Sequence, residues 1–292
     1  MFLADNWKDY ELLDAKNGEK LERWGKIVLR RPDPQVVWDV RDEDAHSGWN
    51  NPDAHYHRSN TGGGHWESRK KMPESWTVDY RDLTFGIKMM GFKHTGLFPE
   101  QAANWDWFSD IIKKSGRKDV NVLNLFAYTG GATMAASAAG AAVCHVDASK
   151  GMVAWAKENA QLSGLQDNPI RFIVDDVKKF TEREIRRGRK YDAVIMDPPS
   201  YGRGPSGEVW KIEDELFGLV ELCTKVLSDN PLFFLINSYT TGLSGGVLEN
   251  ILKMTLQKNY GGAILVDEVG LPITNQGLVL PCGYSGRWCK TE

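Results

Sequence analysis

A carboxylate followed by two prolines and an aromatic ring is the feature of this sequence best suited to chemistry on a substrate. The residues are Asp197-Pro198-Pro199-Ser200-Tyr201. Two proline rings fix two φ angles and remove two N–H donors, so the Asp197 carboxylate and bare carbonyl oxygens remain as acceptors for a substrate N–H. The Tyr201 ring can stack on a planar group such as an extruded base. The simpler interpretation is a proline-stiffened turn in which Tyr201 only packs.

A second set of residues is suited to holding a nucleoside. The stretch Phe126-Ala127-Tyr128-Thr129-Gly130-Gly131 follows an apolar run, and its two adjacent glycines let the backbone turn tightly and approach a ligand. Asp147 ends the next apolar run, where an acidic residue can accept from ribose hydroxyls. Asp176 and Val177 follow the third run, where a carboxylate can accept from an adenine amino group.

Each of these residues taken alone also fits a structural role, namely a tight turn for the glycines and helix caps for the two aspartates. Together, at three successive strand ends, they favour a nucleoside cofactor. NAD stays open on this evidence, although its usual G-x-G-x-x-G spacing is absent because the two glycines are adjacent.

The elements that must position these residues alternate between short apolar runs and helical patterns, which is typical of a parallel sheet covered by helices. We expect strands over residues 120–125, 142–146, 170–174, 191–196 and 232–236, and helices over 131–139, 150–162, 213–227 and 246–258. Two late runs at 263–266 and 278–280 have no helix between them and predict a terminal antiparallel hairpin. The fold class is therefore α/β, with a Rossmann-like seven-stranded sheet over residues 119–292.

The first 118 residues lack this rhythm and hold eight of the 11 tryptophans. We predict a small β-rich region there, with strands at 26–29, 35–38, 76–80 and 83–87, a long loop over 42–65 and a helix over 99–115. Its tryptophans and histidines can stack on bases or pack a small core. We interpret residues 1–118 as a substrate-facing region.

The composition excludes several classes of protein. With 292 residues, 26% charged and 41% hydrophobic, the chain is an ordinary globular protein, and no apolar run reaches the length of about 18 residues that suggests a membrane span. The N-terminus lacks the pattern of a secretory signal, and the four cysteines form no C-x-x-C pair, so we expect free thiols and a cytoplasmic protein. The net charge of -3 gives no reason for diffuse polyanion binding, but it does not exclude a local basic patch such as Arg69-Lys70-Lys71. The histidines between residues 46 and 65 lack zinc-type spacing, so no metal is expected.

Asp-Pro-Pro followed closely by an aromatic residue resembles the catalytic motif of class I S-adenosylmethionine-dependent methyltransferases that act on amino groups. Over residues 76–292 the resemblance extends to the bacterial group that includes the cytosine-C5 and guanine-N7 methyltransferases of 23S ribosomal RNA. It rests on Gly96-Leu97-Phe98-Pro99-Glu100-Gln101, on Asn124 to Gly131 and on Asp197 to Tyr201.

The resemblance implies S-adenosyl-L-methionine as the cofactor, with its methionine part near Tyr128, its ribose at Asp147 and its adenine at Asp176. The full set of implied cofactor residues is Gln101, Phe126, Tyr128, Thr129, Gly130, Gly131, Asp147, Asp176 and Val177. The implied catalytic turn is Asp197, Pro198, Pro199 and Tyr201.

One departure from the family pattern bears on the acceptor atom. Methylation at pyrimidine C5 requires a cysteine that adds to the ring, and the cytosine enzymes of this group carry it after the fifth strand, where this chain has Ile236-Asn237-Ser238-Tyr239. We therefore predict methylation of a base nitrogen in ribosomal RNA, with Asn237 and Asp197 positioning the acceptor. The alternatives are a methyltransferase for a small molecule or a protein, and a cofactor-binding module without catalysis. A homodimer is left open.

Overall fold

The computed structural model describes residues 1–59, 63–203 and 209–290, and of Arg203 it describes only the backbone. Contacts divide the chain into two compact units, each assembled from separate stretches. Unit 1 contains residues 1–2, 104–269 and 283–292, and unit 2 contains residues 3–103 and 270–282. The division of labour predicted between residues 1–118 and 119–292 stays a prediction.

Seventeen strands and seven helices lie within the described residues. The strands are β1 (Phe2–Leu3), β2 (Tyr10–Lys16), β3 (Glu19–Trp24), β4 (Ile27–Pro32), β5 (Ala54–Arg58), β6 (Gly64–Ser68), β7 (Trp76–Tyr80), β8 (Leu83–Ile87), β9 (Asn121–Leu125), β10 (Ala142–Asp147), β11 (Ile170–Val174), β12 (Ala193–Met196), β13 (Tyr201–Arg203), β14 (Val209–Lys211), β15 (Phe233–Ser238), β16 (Ala263–Ile273) and β17 (Leu278–Cys289). The helices are α1 (Ala102–Lys114), α2 (Gly131–Ala138), α3 (Lys150–Leu162), α4 (Val177–Arg186), α5 (Ile212–Thr224), α6 (Gly245–Leu252) and α7 (Lys258–Tyr260). Short 3-10 turns occupy Ser47–Asn50 and Pro99–Gln101, and a π-helical turn at Lys253–Gln257 joins α6 to α7.

The sheet of unit 1 has the strand order β11-β10-β9-β12-β15-β17-β16. Its first five strands are parallel, and β17 runs antiparallel to β15. This arrangement confirms the predicted α/β fold, with seven strands and a terminal antiparallel hairpin. Strand β9 is the first of these strands along the chain, and it lies between β10 and β12 in the sheet. The chain therefore adds β10 and β11 on one side of β9 and then reverses to add β12 and β15 on the other. Open α/β sheets bind ligands at the carboxyl ends of the strands beside such a reversal.

The core of unit 1 forms where helices cover this sheet. Every residue of β12 and β15 is buried, as expected for strands covered on both faces. On α5, the residues at spacings of three and four that predict a buried face are all buried, namely Leu216, Leu219, Val220 and Cys223. The packed helices and strands therefore form a rigid support for the loops at the strand ends.

Unit 2 is built mainly from antiparallel strands. Strands β2, β3 and β4 form a meander, β5 pairs parallel to β4 and antiparallel to β6, and β7 and β8 form a separate hairpin. At its centre the fully buried Glu22 accepts from Arg31 Nε at 2.6 Å and Arg31 Nη2 at 2.8 Å, and from the Tyr10 hydroxyl at 2.8 Å. These hydrogen bonds satisfy a carboxylate that would otherwise be very costly to bury.

Several predictions for the N-terminal region are wrong. Residues 35–38 form no strand, because Val36 N–H bonds back to Asp33 in a turn and Val37 is left 89% exposed. The stretch 42–65, predicted as a long loop, contains β5 and the start of β6, and its residues 60–62 lie outside the described residues. Strands β2 and β3 were not predicted. The predicted hairpin β7–β8, with its turn at Arg81 in the left-handed region, is confirmed.

The first strand of the terminal hairpin is longer than the apolar run at 263–266 predicts, because β16 continues through Gly270 to Pro272 as far as Ile273. All four cysteines are free thiols, as predicted, and Cys144 and Cys223 are buried. In the part of the chain that the structure describes, no helix is long and apolar enough to cross a membrane. The described residues also contain no group of three or more His, Cys, Asp or Glu side chains that could hold a metal ion.

Candidate active site

The loop between β9 and α2 has an unusual backbone. Phe126 and Tyr128 adopt left-handed φ angles of 54° and 50°, and Gly130 has a φ of 86°. Left-handed conformations cost a non-glycine residue about 1–3 kcal/mol and persist only where surrounding structure enforces them. Such conformations cluster at ligand sites, so this loop is the first part of the candidate site.

Asp147, at the end of β10, is one of the groups that enforce this conformation. Its Oδ2 accepts from Tyr128 N at 2.9 Å, and its Oδ1 accepts from Ser149 N at 2.8 Å. On the other side of the loop, Asn159 Nδ2 donates to Thr129 O at 2.8 Å. Burial raises the pKa of Asp147, although the two backbone N–H groups lower it. A carboxylate has about four lone-pair positions, so Asp147 can hold the loop and still accept from a ligand hydroxyl.

The two glycines of this loop are explained by the packing around them. A Cβ on Gly130 would lie 3.1 Å from Ala156 Cβ, in addition to the strain of a positive φ. A Cβ on Gly131 would lie 2.6 Å from Trp105 Cζ2, which belongs to α1. The double glycine therefore allows close approach of protein side chains, and this requirement holds whether or not a ligand is bound.

Asp176 and Val177 follow β11, the third strand along the chain. Asp176 is the N-cap of α4, and its Oδ1 accepts from Lys179 N at 2.9 Å. Val177 is the first residue of α4 and is buried. The structural role considered for Asp176, a helix cap, is therefore present, and its contact with an adenine stays a prediction. Gln101 is buried in a 3-10 turn of unit 2, and its contact with a cofactor also stays a prediction.

The Asp-Pro-Pro turn follows β12 directly, one strand away from the loop after β9. Asp197 N–H donates to Leu125 O, the last residue of β9, at a long distance of 3.4 Å. Asp197 is half-buried and Pro198 buried, whereas Tyr201 is 51% exposed at the start of β13. The structure thus brings the glycine loop and the Asp-Pro-Pro turn to adjacent strand ends, as predicted for parallel strands.

Hydrogen bonds fix the turn after Asp197. Trp210 Nε1 donates to Pro199 O at 2.6 Å, and Thr240 Oγ1 donates to Ser200 Oγ at 2.6 Å. Ile212 N, at the start of α5, donates to Ser200 O at 3.1 Å. The turn is therefore held from three different elements before any substrate binds.

Trp210 is a residue that sequence reasoning missed. Besides its bond to Pro199, its ring lies 5.3 Å from the Phe126 ring, at an interplanar angle of 53°. Trp210 thus contacts both the loop after β9 and the turn after β12. The only available signal was that it is one of three tryptophans after residue 118, the others being Trp155 and Trp288.

Asn237, predicted to help position the acceptor, lies in a buried polar network instead of at an open surface. Its Oδ1 accepts from Asn104 Nδ2 at 3.1 Å and from Ser285 Oγ at 2.7 Å, and the residue is 2% exposed. Asn104 Oδ1 in turn accepts from Arg287 Nε at 2.8 Å, and burial lowers the pKa of Arg287 to about 9. The Asn237 oxygen therefore holds β15 to α1 and β17.

Comparisons with a family model and with solved structures agree on the family of this chain. A family model described as S-adenosylmethionine-dependent methyltransferase matches residues 45–226. The crystal structure of an S-adenosylmethionine-dependent methyltransferase from Agrobacterium tumefaciens is 35% identical and has a TM-score of 0.92, covering 99% of this chain and 93% of that one. A putative methyltransferase from Streptococcus mutans, 19% identical, has a TM-score of 0.76 over 98% of this chain and 76% of its own, a likeness of fold alone.

Curated relatives match a smaller part of the chain. Ribosomal RNA large subunit methyltransferase K of Neisseria meningitidis serogroup B is 26% identical over 177 residues, which are 59% of this chain and 48% of the relative. Ribosomal RNA large subunit methyltransferase K/L of Hahella chejuensis is 32% identical over 174 residues, covering 59% of this chain and 23% of the relative. The chain thus spans about half or less of the length of these relatives.

Proposed function

Because this chain belongs to the S-adenosylmethionine-dependent methyltransferase family, we propose that it methylates a base nitrogen in ribosomal RNA, in the cytoplasm. The observation that carries the proposal is the Asp197-Pro198-Pro199 turn, held rigidly at a strand end beside the left-handed loop after β9. The names of the curated relatives support ribosomal RNA as the acceptor.

The residues around the left-handed loop fit the cofactor. S-adenosylmethionine, when bound, supplies a methyl group on a positively charged sulfur that is already activated for displacement. We assign the methionine part of the cofactor to the loop from Phe126 to Gly131, whose backbone has positive φ angles at Phe126, Tyr128 and Gly130. Asp147 has acceptor positions for the ribose hydroxyls, Asp176 and Val177 border the adenine, and Gln101 contacts the cofactor from its own turn.

The Asp-Pro-Pro turn is proposed to hold the acceptor nitrogen in line with the methyl group. The Asp197 carboxylate and the Pro198 carbonyl accept the N–H groups of a base, and the exposed Tyr201 ring stacks on its face. Where the acceptor is an amino nitrogen, its attack on the methyl carbon gives a cation that must lose a proton, and we assign acceptance of this proton to the Asp197 carboxylate; a ring nitrogen without an N–H, such as guanine N7, loses none. Because the turn is fixed before binding, little ordering remains to be done when the base arrives, and such preorganisation accelerates transfer.

The cysteines support nitrogen over pyrimidine C5 as the acceptor atom. C5 chemistry needs a reactive thiolate, yet burial raises the pKa of Cys144 to about 11 and that of Cys223 to about 12. The segment where the cytosine enzymes of the resembling group carry their cysteine is Ile236-Asn237-Ser238-Tyr239 in this chain, at the end of β15 and just after it, and it contains no cysteine.

The test uses the purified full chain with methyl-labelled cofactor and ribosomal RNA from a strain lacking the protein. We expect label in the RNA as an N-methyl base. We expect Asp197→Ala to lower the transfer rate at least tenfold while the affinity for S-adenosylhomocysteine, measured by calorimetry, stays within about twofold.

Label in a protein or metabolite fraction, with none in RNA, would overturn the proposed substrate and favour the alternative methyltransferases. Cofactor binding without transfer to any fraction would favour a non-catalytic module. Unchanged transfer by Asp197→Ala would remove Asp197 from the mechanism.

A further inference from the structure

A surface pocket of unit 2 brings together residues from three motifs of the N-terminal region that the proposed chemistry leaves unused. These motifs are the tryptophans, the histidines and the basic run at residues 69–71. The cavity has a volume of about 70 Å³ and is lined by Arg30, Trp49, Pro52, His55, Glu67 and Arg69. Two arginines and one glutamate are among these lining residues.

Arg30 is oriented before any ligand arrives. Its Nε donates to Glu19 Oε2 at 2.9 Å, its Nη2 bonds to the same oxygen, and its guanidinium carbon lies 5.3 Å from the centroid of the Trp49 ring. Its Nη1 has no hydrogen-bond partner among the described residues. Glu19 remains ionised, since the hydrogen bonds from Arg30 and His55 outweigh burial and lower its pKa. Arg30 therefore presents a fixed end with N–H groups available for a ligand.

Arg69, the second arginine of the lining, is exposed. Its Nη1 donates to Asn51 Oδ1 at 3.1 Å, which is a neutral partner, and among the described residues Arg69 forms no ion pair. The carboxylate in the lining, Glu67, is bonded to His57 Nε2 at 2.8 Å on the exposed surface. Burial lowers the pKa of His55, so this histidine is uncharged at neutral pH. The lining residues thus carry two positive charges and one negative charge, and of the two arginines Arg30 is already paired with the ionised Glu19 behind it.

The character of the pocket points to a phosphate group and away from a base. Trp49 is only 7% exposed, and its indole N–H is donated to Asp14 Oδ2 at 2.8 Å, so its ring supports Arg30 and offers no open stacking surface. Planar guanidinium groups match the oxygens of a phosphate, which they bind by paired hydrogen bonds. Because the net charge of the chain is -3, RNA binding must depend on local cationic sites of this kind.

We propose that the pocket lined by Arg30 and Arg69 binds a phosphodiester group of the RNA substrate, an inference that rests on the proposed function. It fixes the position of the RNA backbone without reading its sequence, as most phosphate contacts do. The pocket is then part of the substrate-facing role predicted for the N-terminal region.

Binding of a ribosomal RNA fragment to the full chain, measured by filter binding over a series of salt concentrations, tests this site. We expect Arg69→Ala to weaken binding about three- to tenfold and to reduce the slope of log affinity against log salt by about 0.7, the value for one contact to a single strand. Arg30→Lys keeps the charge but loses the planar fork, so it weakens binding and leaves the slope unchanged. The matched control is Arg41→Ala, which removes a 77% exposed arginine of the same unit outside the pocket and should change neither quantity.

Wild-type affinity and slope in both pocket variants would overturn the proposal, and so would equal losses in Arg41→Ala. If RNA is methylated while Arg69→Ala binds normally, the pocket proposal fails and the proposed function stands. If the pocket variants lose RNA affinity while the label enters another class of molecule, the pocket stands and the proposed acceptor fails. A wild-type protein that binds no RNA would refute both.

Discussion

Replacing Trp210 by phenylalanine removes one hydrogen bond from the Asp-Pro-Pro turn and keeps an aromatic ring in place. The lost bond is the 2.6 Å contact from the indole Nε1 to Pro199 O, while the contact with Phe126 is largely retained. We expect Trp210 to be a positioning residue, because it acts on the acceptor site through Pro199.

The size of the effect follows from the two contacts. A hydrogen bond of this kind contributes about 0.5–1.5 kcal/mol net, so Trp210→Phe should lower kcat about two- to tenfold if the turn must be held in the transition state. Trp210→Ala also loses the aromatic contact, which is worth about another 0.5–1.5 kcal/mol. Together these losses correspond to a fall in kcat of about five- to 150-fold.

The assay is methyl transfer at saturating cofactor, with KM for the acceptor and the affinity for S-adenosylhomocysteine measured separately. For Trp210→Phe we expect a lower kcat and an unchanged cofactor affinity. Trp76→Phe is the matched control, since it removes an indole donor to a backbone oxygen, Trp24 O at 3.2 Å, within unit 2. A wild-type kcat in Trp210→Phe, or an equal loss in Trp76→Phe, would refute the reasoning.

Three further predictions concern the site loop and the core of unit 2. Gly131→Ala places a Cβ 2.6 Å from Trp105 Cζ2 and should lower the unfolding free energy by about 1–3 kcal/mol in thermal denaturation. Gly151→Ala, whose Cβ would make only an ordinary contact with Ser149 Oγ at 3.9 Å, should not, so equal melting temperatures of the two variants would contradict this prediction. Asp147→Ala removes the acceptor of two loop N–H groups and should weaken S-adenosylhomocysteine binding at least tenfold by calorimetry, so wild-type affinity would count against the assigned cofactor site. Glu22→Gln breaks a buried ion pair and should cost about 3–5 kcal/mol in urea denaturation. Burial raises the pKa of Glu22, but its cationic neighbours Arg31 and Lys20 outweigh this effect and lower the pKa to about 2. The stability of the wild-type protein should therefore fall as the pH drops from about 4.5 towards 2, because the unfolded chain binds the proton more readily. A Glu22→Gln variant with the same dependence of stability on pH would disprove this role.

The positions of the candidate site residues could be predicted because parallel strands end at a common edge. Asp147 ends one apolar run and Asp197 follows another, and the strand order places β10 and β12 on the two sides of β9, so both carboxylates lie at the same edge of the sheet. The role of Trp210 could not be predicted, since it depends on the pairing of β13 with β14, which returns the chain to Pro199. The close packing of Gly131 against Trp105 could not be predicted either, because the two residues belong to different helices, α2 and α1, whose contact is not visible in the sequence.

In the N-terminal region, buried charges conceal the strand pattern. Strand β3 reads Glu19-Lys20-Leu21-Glu22-Arg23-Trp24, which has too many charges for an ordinary buried strand. Its buried carboxylate, Glu22, is acceptable because the Arg31 guanidinium of β4 and the Tyr10 hydroxyl of β2 bond to it in the folded protein, although its register partner on β4 is Leu29. Conversely, Val36 and Val37 suggest a strand by composition, but a turn closed at Asp33 buries the first and exposes the second. In both cases contacts with residues elsewhere in the fold determine whether the segment forms a strand, and a local sequence pattern carries no information about those contacts.

The late hairpin has a consequence for how this chain is made. Residues 270–282 belong to unit 2, where Thr274 N and Asn275 N bond to Leu12 O and Leu13 O at 3.0 Å. A ribosome delivers residue 12 long before residue 274, so the first part of unit 2 to emerge waits until residues 270–282 have been made. Domains usually fold as units in order of synthesis, and contacts this distant in sequence form slowly. We therefore expect that residues 1–118 do not fold as a separate module, because a fragment of that length lacks the residues 270–282 that complete unit 2.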